Sequence, residues 1–155
     1  MRPLSGFKIR HLNNADPQLF SRACVGCLVL SKDKKIILQQ RDLTSPTFPG
    51  CLATFGGGIE SNESPIDTLV RELKEELGAV IKTADVISLG AISEAETNYS
   101  ELVYLYFWHD KHGTITGCYE GTAKYYRNPD QAMAHPKIME DVKWLLHLCK
   151  KKNLL

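Results

Sequence analysis

Residues Gly57 to Val80 read GGIESNESPIDTLVRELKEELGAV, and from Ser64 onward the apolar positions recur with a helical period. Ser64 is placed to cap, Pro65 suits the first helical position, and Asp67 completes an S-x-x-D capping box. Ile66, Leu69, Val70, Leu73 and Leu77 then share one face, and Gly78 supplies the stop. The spacing predicts a docked helix over 64–77.

Glu72, Glu75 and Glu76 sit at i, i+3 and i+4 of that helix, flanking the apolar stripe. Like charges at this spacing repel, and a helix needing only solubility gains more by alternating them with lysine. A solvated acidic face is the plain reading of such a pattern. A hard divalent cation is the alternative that resolves the repulsion. Ligands that are all oxygen favour Mg²⁺ or Mn²⁺ over zinc, and Mg²⁺ characteristically bridges carboxylates to substrate phosphates. Arg71, by pairing with a carboxylate, and Glu63, just ahead of the helix, are placed to support the cluster.

The rest of the chain bounds this reading. Its 155 residues, 43% hydrophobic and 24% charged, suit one ordinary globular domain with a core that needs no disulfide or metal staple. Nineteen Lys and Arg against eighteen Asp and Glu leave a formal charge of +1, which excludes a strong global field for holding nucleic acid or an anionic membrane. An anionic ligand must be gripped locally. Five cysteines at irregular spacing, no signal-like apolar run in Met1 to Asn14 and no stretch long enough to span a bilayer predict a cytoplasmic, non-membrane protein.

Residues 1–22 are polar and broken by Pro3, Gly6 and Pro17, with Phe7, Ile9 and Leu12 alternating, and are expected as an N-terminal arm appended to a single domain over 23–155. Cys24 to Ser31 and Lys35 to Arg41 read as a β-hairpin, with a loop over Leu43 to Gly50. Leu102 to His109 is a continuous apolar strand, expected to pair through an Asp110-Lys111-His112-Gly113 turn with Thr114 to Tyr119. Pro136 to Cys149 carries a second amphipathic helix, with lysines at its C-terminal end.

The pattern Gly57-x5-Glu63-x7-Arg71-Glu72-Leu73-x-Glu75-Glu76-x-Gly78 resembles the signature box of the Nudix (MutT-like) hydrolases. The flanking hairpin, strands and terminal helix are also similar to that family's α/β/α sandwich around a mixed β-sheet, an α+β arrangement. The resemblance implies Mg²⁺- or Mn²⁺-dependent hydrolysis of a pyrophosphate bond in a nucleoside diphosphate linked to another moiety. It further implies Glu72, Glu75 and Glu76 as metal ligands, the Gly56 carbonyl as another, and Glu63 and Arg71 as organisers of the box. The chain departs from the family's usual pattern at Ala79, where a bulky aliphatic is common, and at Phe55-Gly56-Gly57, where Pro-Gly-Gly is frequent. A nucleotide-binding module with the same fold and no turnover is the alternative function. Similar proteins often form homodimers, which nothing in this sequence fixes.

Other candidates have two readings each. Glu120, in Tyr119-Glu120-Gly121, lies where relatives present a loop glutamate that binds metal or acts as base; Glu94, Glu96 and Glu101 compete for that role or form a charged loop. Arg41, closing the second strand, is either a surface residue or a fork for phosphate or a base edge. Tyr104 and Tyr106 share a strand face with Leu102 and Trp108, available for stacking on a nucleobase or for core packing. Cys24 and Cys27 have CxxC spacing, but in an extended strand they point to opposite faces, which predicts packing rather than redox roles. His109 and His112 lack a partner set for zinc.

Overall fold

In the computed structural model, which describes residues 8–155, the glutamate-bearing helix α1 runs Pro65–Leu77. Its capping box is closed on both sides: Asp67 N donates to Ser64 Oγ at 3.2 Å and Ser64 N donates to Asp67 Oδ2 at 3.1 Å. Such a cap contributes about 1 kcal/mol by satisfying donors the helix cannot bond internally. Gly78 ends the helix in the left-handed conformation at φ 65°, which a glycine enters without a Cβ penalty.

Among the described residues one mixed sheet is built from β1 (Ile9–Leu12), β2 (Arg22–Leu30), β3 (Ile36–Gln40), β4 (Leu52–Ala53), β5 (Phe55–Gly58), β6 (Val86–Glu94), β7 (Glu101–His109) and β8 (Thr122–Tyr126). The strand order is β1-β6-β7-β2-β3-β4, with β5 paired to β2 and β8 to β3. The central pair, β2 and β7, is parallel and aligned from Arg22↔Glu101 to Leu30↔His109; the other pairs are antiparallel. One edge of β2 is shared, Val29 and Leu30 bonding to β3 while Cys24 to Cys27 bond to β5.

The two faces of the sheet carry separate cores. Leu69, Leu73 and Leu77 of α1 pack on Val25, Cys27, Val29, Phe55 and Trp108. On the other face α3 (Glu140–Lys151) buries Val142, Trp144, Leu145 and Leu148 against Leu28, Leu30, Ile92 and Leu105, with the short α2 (Pro129–Met133) at its side. This is the expected α/β/α sandwich. Cys24 and Cys27 fall on opposite faces as their spacing predicts, and all five cysteines are free.

Within residues 1–22, the run with Ile9 and Leu12 forms β1, which pairs with β6 from Ile9↔Glu94 to Leu12↔Ala91 and buries Ile9, while Phe7 lies outside the described residues. Two expectations are corrected. The Thr114 to Tyr119 segment is not a strand beside β7. Asp110 captures the Thr114 and Ile115 N–H groups and turns the chain away, so that Thr116 N and Tyr119 N donate to Leu77 O and Glu76 O at the end of α1. The edge of β7 is taken instead by β6, in which Gly90, at φ 92°, lies within the register shift between Ser88 and Ala91. The terminal helix begins at Glu140 rather than Pro136, because Met139 N and Leu52 N exchange bonds with Leu52 O and Lys137 O and hold that stretch extended.

Candidate active site

The edge of α1 nearest β5 carries the acidic cluster. Gly56 has φ 150°, and a Cβ there would run into the Val25 carbonyl of β2, so only glycine lets β5 lie this close. Gly57 has the same function toward the helix: an added Cβ would meet the Glu72 carboxyl carbon at 2.5 Å. The glycines thereby seat the Glu72 and Glu76 carboxyls against strand backbone. Gly56 N donates to Glu76 Oε2 at 3.2 Å.

Arg71 organises the surrounding charge. Its Nε donates to Glu63 Oε2 at 2.7 Å and its Nη2 to Glu63 Oε1 at 2.9 Å, a fork-on-fork pair. Nη1 reaches Glu72 Oε1 at 2.8 Å and Glu75 Oε2 at 3.4 Å, and Nη2 also donates to the Gly58 carbonyl. The bonds from Arg71, with the Glu60 N–H, hold the Glu63 carboxyl down at about 2, and the same pairing raises the Arg71 guanidinium. Glu76 is the opposite case. It is 2% exposed, and burial, then the negative charges of Glu120 and Glu72, push its carboxyl up to about 9. Burial also raises Glu72, against the pull of Arg71.

Glu120 is brought here by backbone anchoring. Gln39 Nε2, buried in β3, donates to the Glu120 carbonyl at 2.8 Å, and Tyr119 N donates to Glu76 O at 2.8 Å. Gln39 was not visible as a functional residue in the sequence, since a polar residue late in a strand reads as solvent-facing. Arg41 borders the same cavity, its guanidinium held by Thr47 O at 2.8 Å, Thr47 Oγ1 at 2.7 Å and Ser45 Oγ at 2.9 Å. A fixed Arg41 presents its remaining donors without further side-chain ordering.

Gly56, Gly57, Arg41 and Glu120 line a cavity of about 240 Å³ together with Glu94 and Asp141, while the carboxyls of Glu63, Glu72, Glu75 and Glu76 are not on its wall. A larger cavity, about 530 Å³, lies near Leu30, Phe107 and the C-terminal Leu154, but none of Gly56, Gly57, Arg41 or Glu120 lines it. The smaller cavity is therefore the candidate site. Tyr104 and Tyr106 do not line it. The alternation of β7 turns them to the α1 face with Cys27 and Phe55, whereas Val103 faces the cavity. Tyr106 belongs to the core on that face, and Tyr104, half-buried, packs against it. Glu94 is not in a loop: it closes β6 and is buried.

The donors fit a hard divalent cation. Among the described residues no three acidic, histidine or cysteine side chains are already gathered as a cation cage, since Glu72 and Glu75 are turned toward Arg71. Yet the cluster offers only oxygen, carries a desolvated Glu76 crowded by like charge, and has a backbone cleared of side chain at Gly56 and Gly57. A cation at that point would offset the electrostatic cost of keeping Glu76 and Glu72 ionised.

The model of the NUDIX domain matches residues 20–148. The CTP pyrophosphohydrolase of Escherichia coli (strain K12) is 31% identical over 116 residues, 74% of this chain and 82% of that protein. An ADP-ribose pyrophosphatase of Methanocaldococcus jannaschii is 36% identical over 61 residues, 39% of this chain and 35% of the relative. Among solved structures, the MutT protein from Methanosarcina mazei Go1 superposes with a TM-score of 0.61 at 15% identity, covering 85% of this chain and 94% of that one. A protein from Deinococcus radiodurans gives a TM-score of 0.64 at 20% identity, covering 89% and 90%. At those identities the likeness concerns the fold.

Proposed function

The chain belongs to the NUDIX domain family and is a pyrophosphohydrolase of phosphorus-containing anhydrides; from that premise we propose that it cleaves, with Mg²⁺ or Mn²⁺, a nucleoside diphosphate linked to another phosphate or organic group. The observation that carries the metal dependence is Glu76, a buried carboxyl raised by its acidic neighbours and placed on a backbone cleared by two glycines. A nucleoside triphosphate is the first substrate class to test, given the 31% identity to a CTP pyrophosphohydrolase.

Glu72, Glu75 and Glu76 would hold the metal, with the Gly56 carbonyl and Glu120 as further donors. A cation held there would neutralise charge on the phosphoryl oxygens and make the attacking water more acidic. Arg71 keeps Glu63, Glu72 and Glu75 from scattering under mutual repulsion. Arg41, already fixed by Ser45 and Thr47, binds and orients a phosphate at the cavity mouth. Glu120, exposed on its loop and tethered by backbone bonds alone, accepts the proton of the attacking water through its carboxylate.

A nucleotide panel incubated with Mg²⁺, with Mn²⁺ or with chelator, with products identified, tests this reading. Release of nucleoside monophosphate that chelation and Glu76→Gln both abolish is expected. Unchanged turnover in chelator or in Glu76→Gln defeats the metal mechanism, and tight nucleotide binding without turnover favours a binding module.

A further inference from the structure

The cavity of about 530 Å³ lies at the other end of β2 from the glutamate cluster. Gly26 pairs with Gly56 of β5, whereas Leu30, about 13 Å further along the strand, lines this cavity. Its floor follows from strand parity. Phe107 and His109 of β7 share a face, Leu30 stands beside His109 in the parallel register, and Leu30 and Phe107 belong to the core under α3. Ile36 opens β3 next to Leu30, and Leu154, just beyond α3, packs on the same core.

Three cations converge on this apolar floor from distant parts of the chain: Lys34 from the β2–β3 turn, Arg127 after β8, and Lys150 in the last turn of α3. None of them has an ion-pair partner among the described residues, and Asp130 is the one acidic side chain on the wall. Their alkyl stems extend the apolar surface while the charged ends stay in water. His109 also lines the cavity, and its Nε2 is buried with no hydrogen-bond partner. An imidazole nitrogen can carry a hydrogen and donate it, and buried donors are normally paired. Here the fold supplies no acceptor.

We propose that this cavity is a second ligand site, taking an aliphatic anion: a hydrocarbon chain that ends in a carboxylate or phosphate head. The chain lies on Leu30, Ile36, Phe107 and Leu154, and the head meets Lys34, Arg127 and Lys150 and accepts a hydrogen bond from His109 Nε2. A cavity of this size, apolar with a few convergent polar groups, has the form of a small-molecule site. A nucleotide is the poorer match, because Phe107 is 5% exposed and offers no open ring face to a base. A neutral alcohol leaves the three cations unmatched, and a cationic amphiphile meets like charge. The site uses no residue of the glutamate box, so it stands apart from the hydrolase reading.

Calorimetry of octanoate and octyl phosphate binding to the full chain, with octanol and octyltrimethylammonium as controls, tests this without requiring turnover. At least one anion should bind roughly tenfold tighter than octanol, and octyltrimethylammonium should not bind; the tighter anion names the head. Arg127→Glu and Lys150→Glu, both at exposed positions, should each weaken that anion about fivefold, whereas Lys82→Glu, away from the cavity, should leave it unchanged. In NMR spectra the tighter anion should shift the ring signals of His109 and leave those of His11, stacked on Trp144, in place. No anion binding, equal affinity for octanol, an unmoved His109, or affinity unchanged in both Arg127→Glu and Lys150→Glu overturns the proposal. Glu76→Gln should lose hydrolysis yet bind the anion as wild type does, so the two readings fail separately.

Discussion

Arg71 and Glu63 are joined by two parallel bonds, at 2.7 and 2.9 Å, across the eight positions that separate the loop before α1 from its second turn. One side chain thus ties the entry loop to the helix while its third nitrogen contacts Glu72 and Glu75. Thr68 Oγ1 adds a further bond to Glu63 Oε1 at 3.0 Å, and the Ser64–Asp67 pair caps the helix start.

Arg71→Lys keeps the charge but cannot form both bonds to Glu63 and still reach Glu72. Hydrogen bonds to charged groups contribute about 1.5–3 kcal/mol, so kcat/KM should fall roughly ten- to hundredfold, mainly through kcat. Steady-state kinetics beside a melting curve checks it; wild-type kinetics in the variant would show the fork to be dispensable.

Stability in chelator should decline as pH rises. Glu76 and Glu94 each hold a proton up to about 9 in the folded chain, against an ordinary 4.5, so the folded state binds the extra protons in that window. Their penalty is absent below the ordinary value and grows to its full size as pH passes the folded one. Glu76→Gln removes one share, and should melt above wild type at pH 8.5, by roughly 2–4 °C per kcal/mol, with the gap closing near pH 5. A gap that is the same at both pH values would contradict the burial cost.

Loading Mg²⁺ or Mn²⁺ should expel protons at pH 7, since Glu76 must ionise to become a ligand. Titrations in two buffers of different ionisation enthalpy should give different apparent heats for wild type and converge for Glu76→Gln. Identical heats for wild type in both buffers would mean that Glu76 does not ligate.

Gly57→Ala places a methyl against the Glu72 carboxyl at 2.5 Å, a contact that a side-chain end can leave by rotating. Folding should survive within about 1 kcal/mol, while metal affinity drops as Glu72 is displaced. A metal titration followed by melting temperature separates the two effects.

Local chemistry made α1, its cap, its stop and the β2–β3 hairpin legible from the sequence, because each depends on residues only a few positions apart. What escaped was set by distant partners. Tyr104 and Tyr106 have a definite alternation, but which face of β7 meets α1 depends on the parallel pairing with β2, dozens of residues earlier. Thr114 to Tyr119 has strand-forming residues, and the Asp110 carboxylate outcompetes that propensity by bonding two of its N–H groups. Glu94 resembled a loop acid because its burial comes from α3, which approaches only when the whole sandwich closes. The box residues were visible as a set, whereas Gln39 and Asp141 have no local pattern that distinguishes them from surface residues.

The shared edge of β2 fixes β5 at the middle of the sheet, whereas the carboxyls of Glu94 and Asp141 hang from β6 and the head of α3 toward its margin. The backbone beneath the glutamate cluster therefore rests on β2, which is itself bonded along its other edge to β7. A disturbance at the margin reaches that backbone only through the intervening strands β7 and β2.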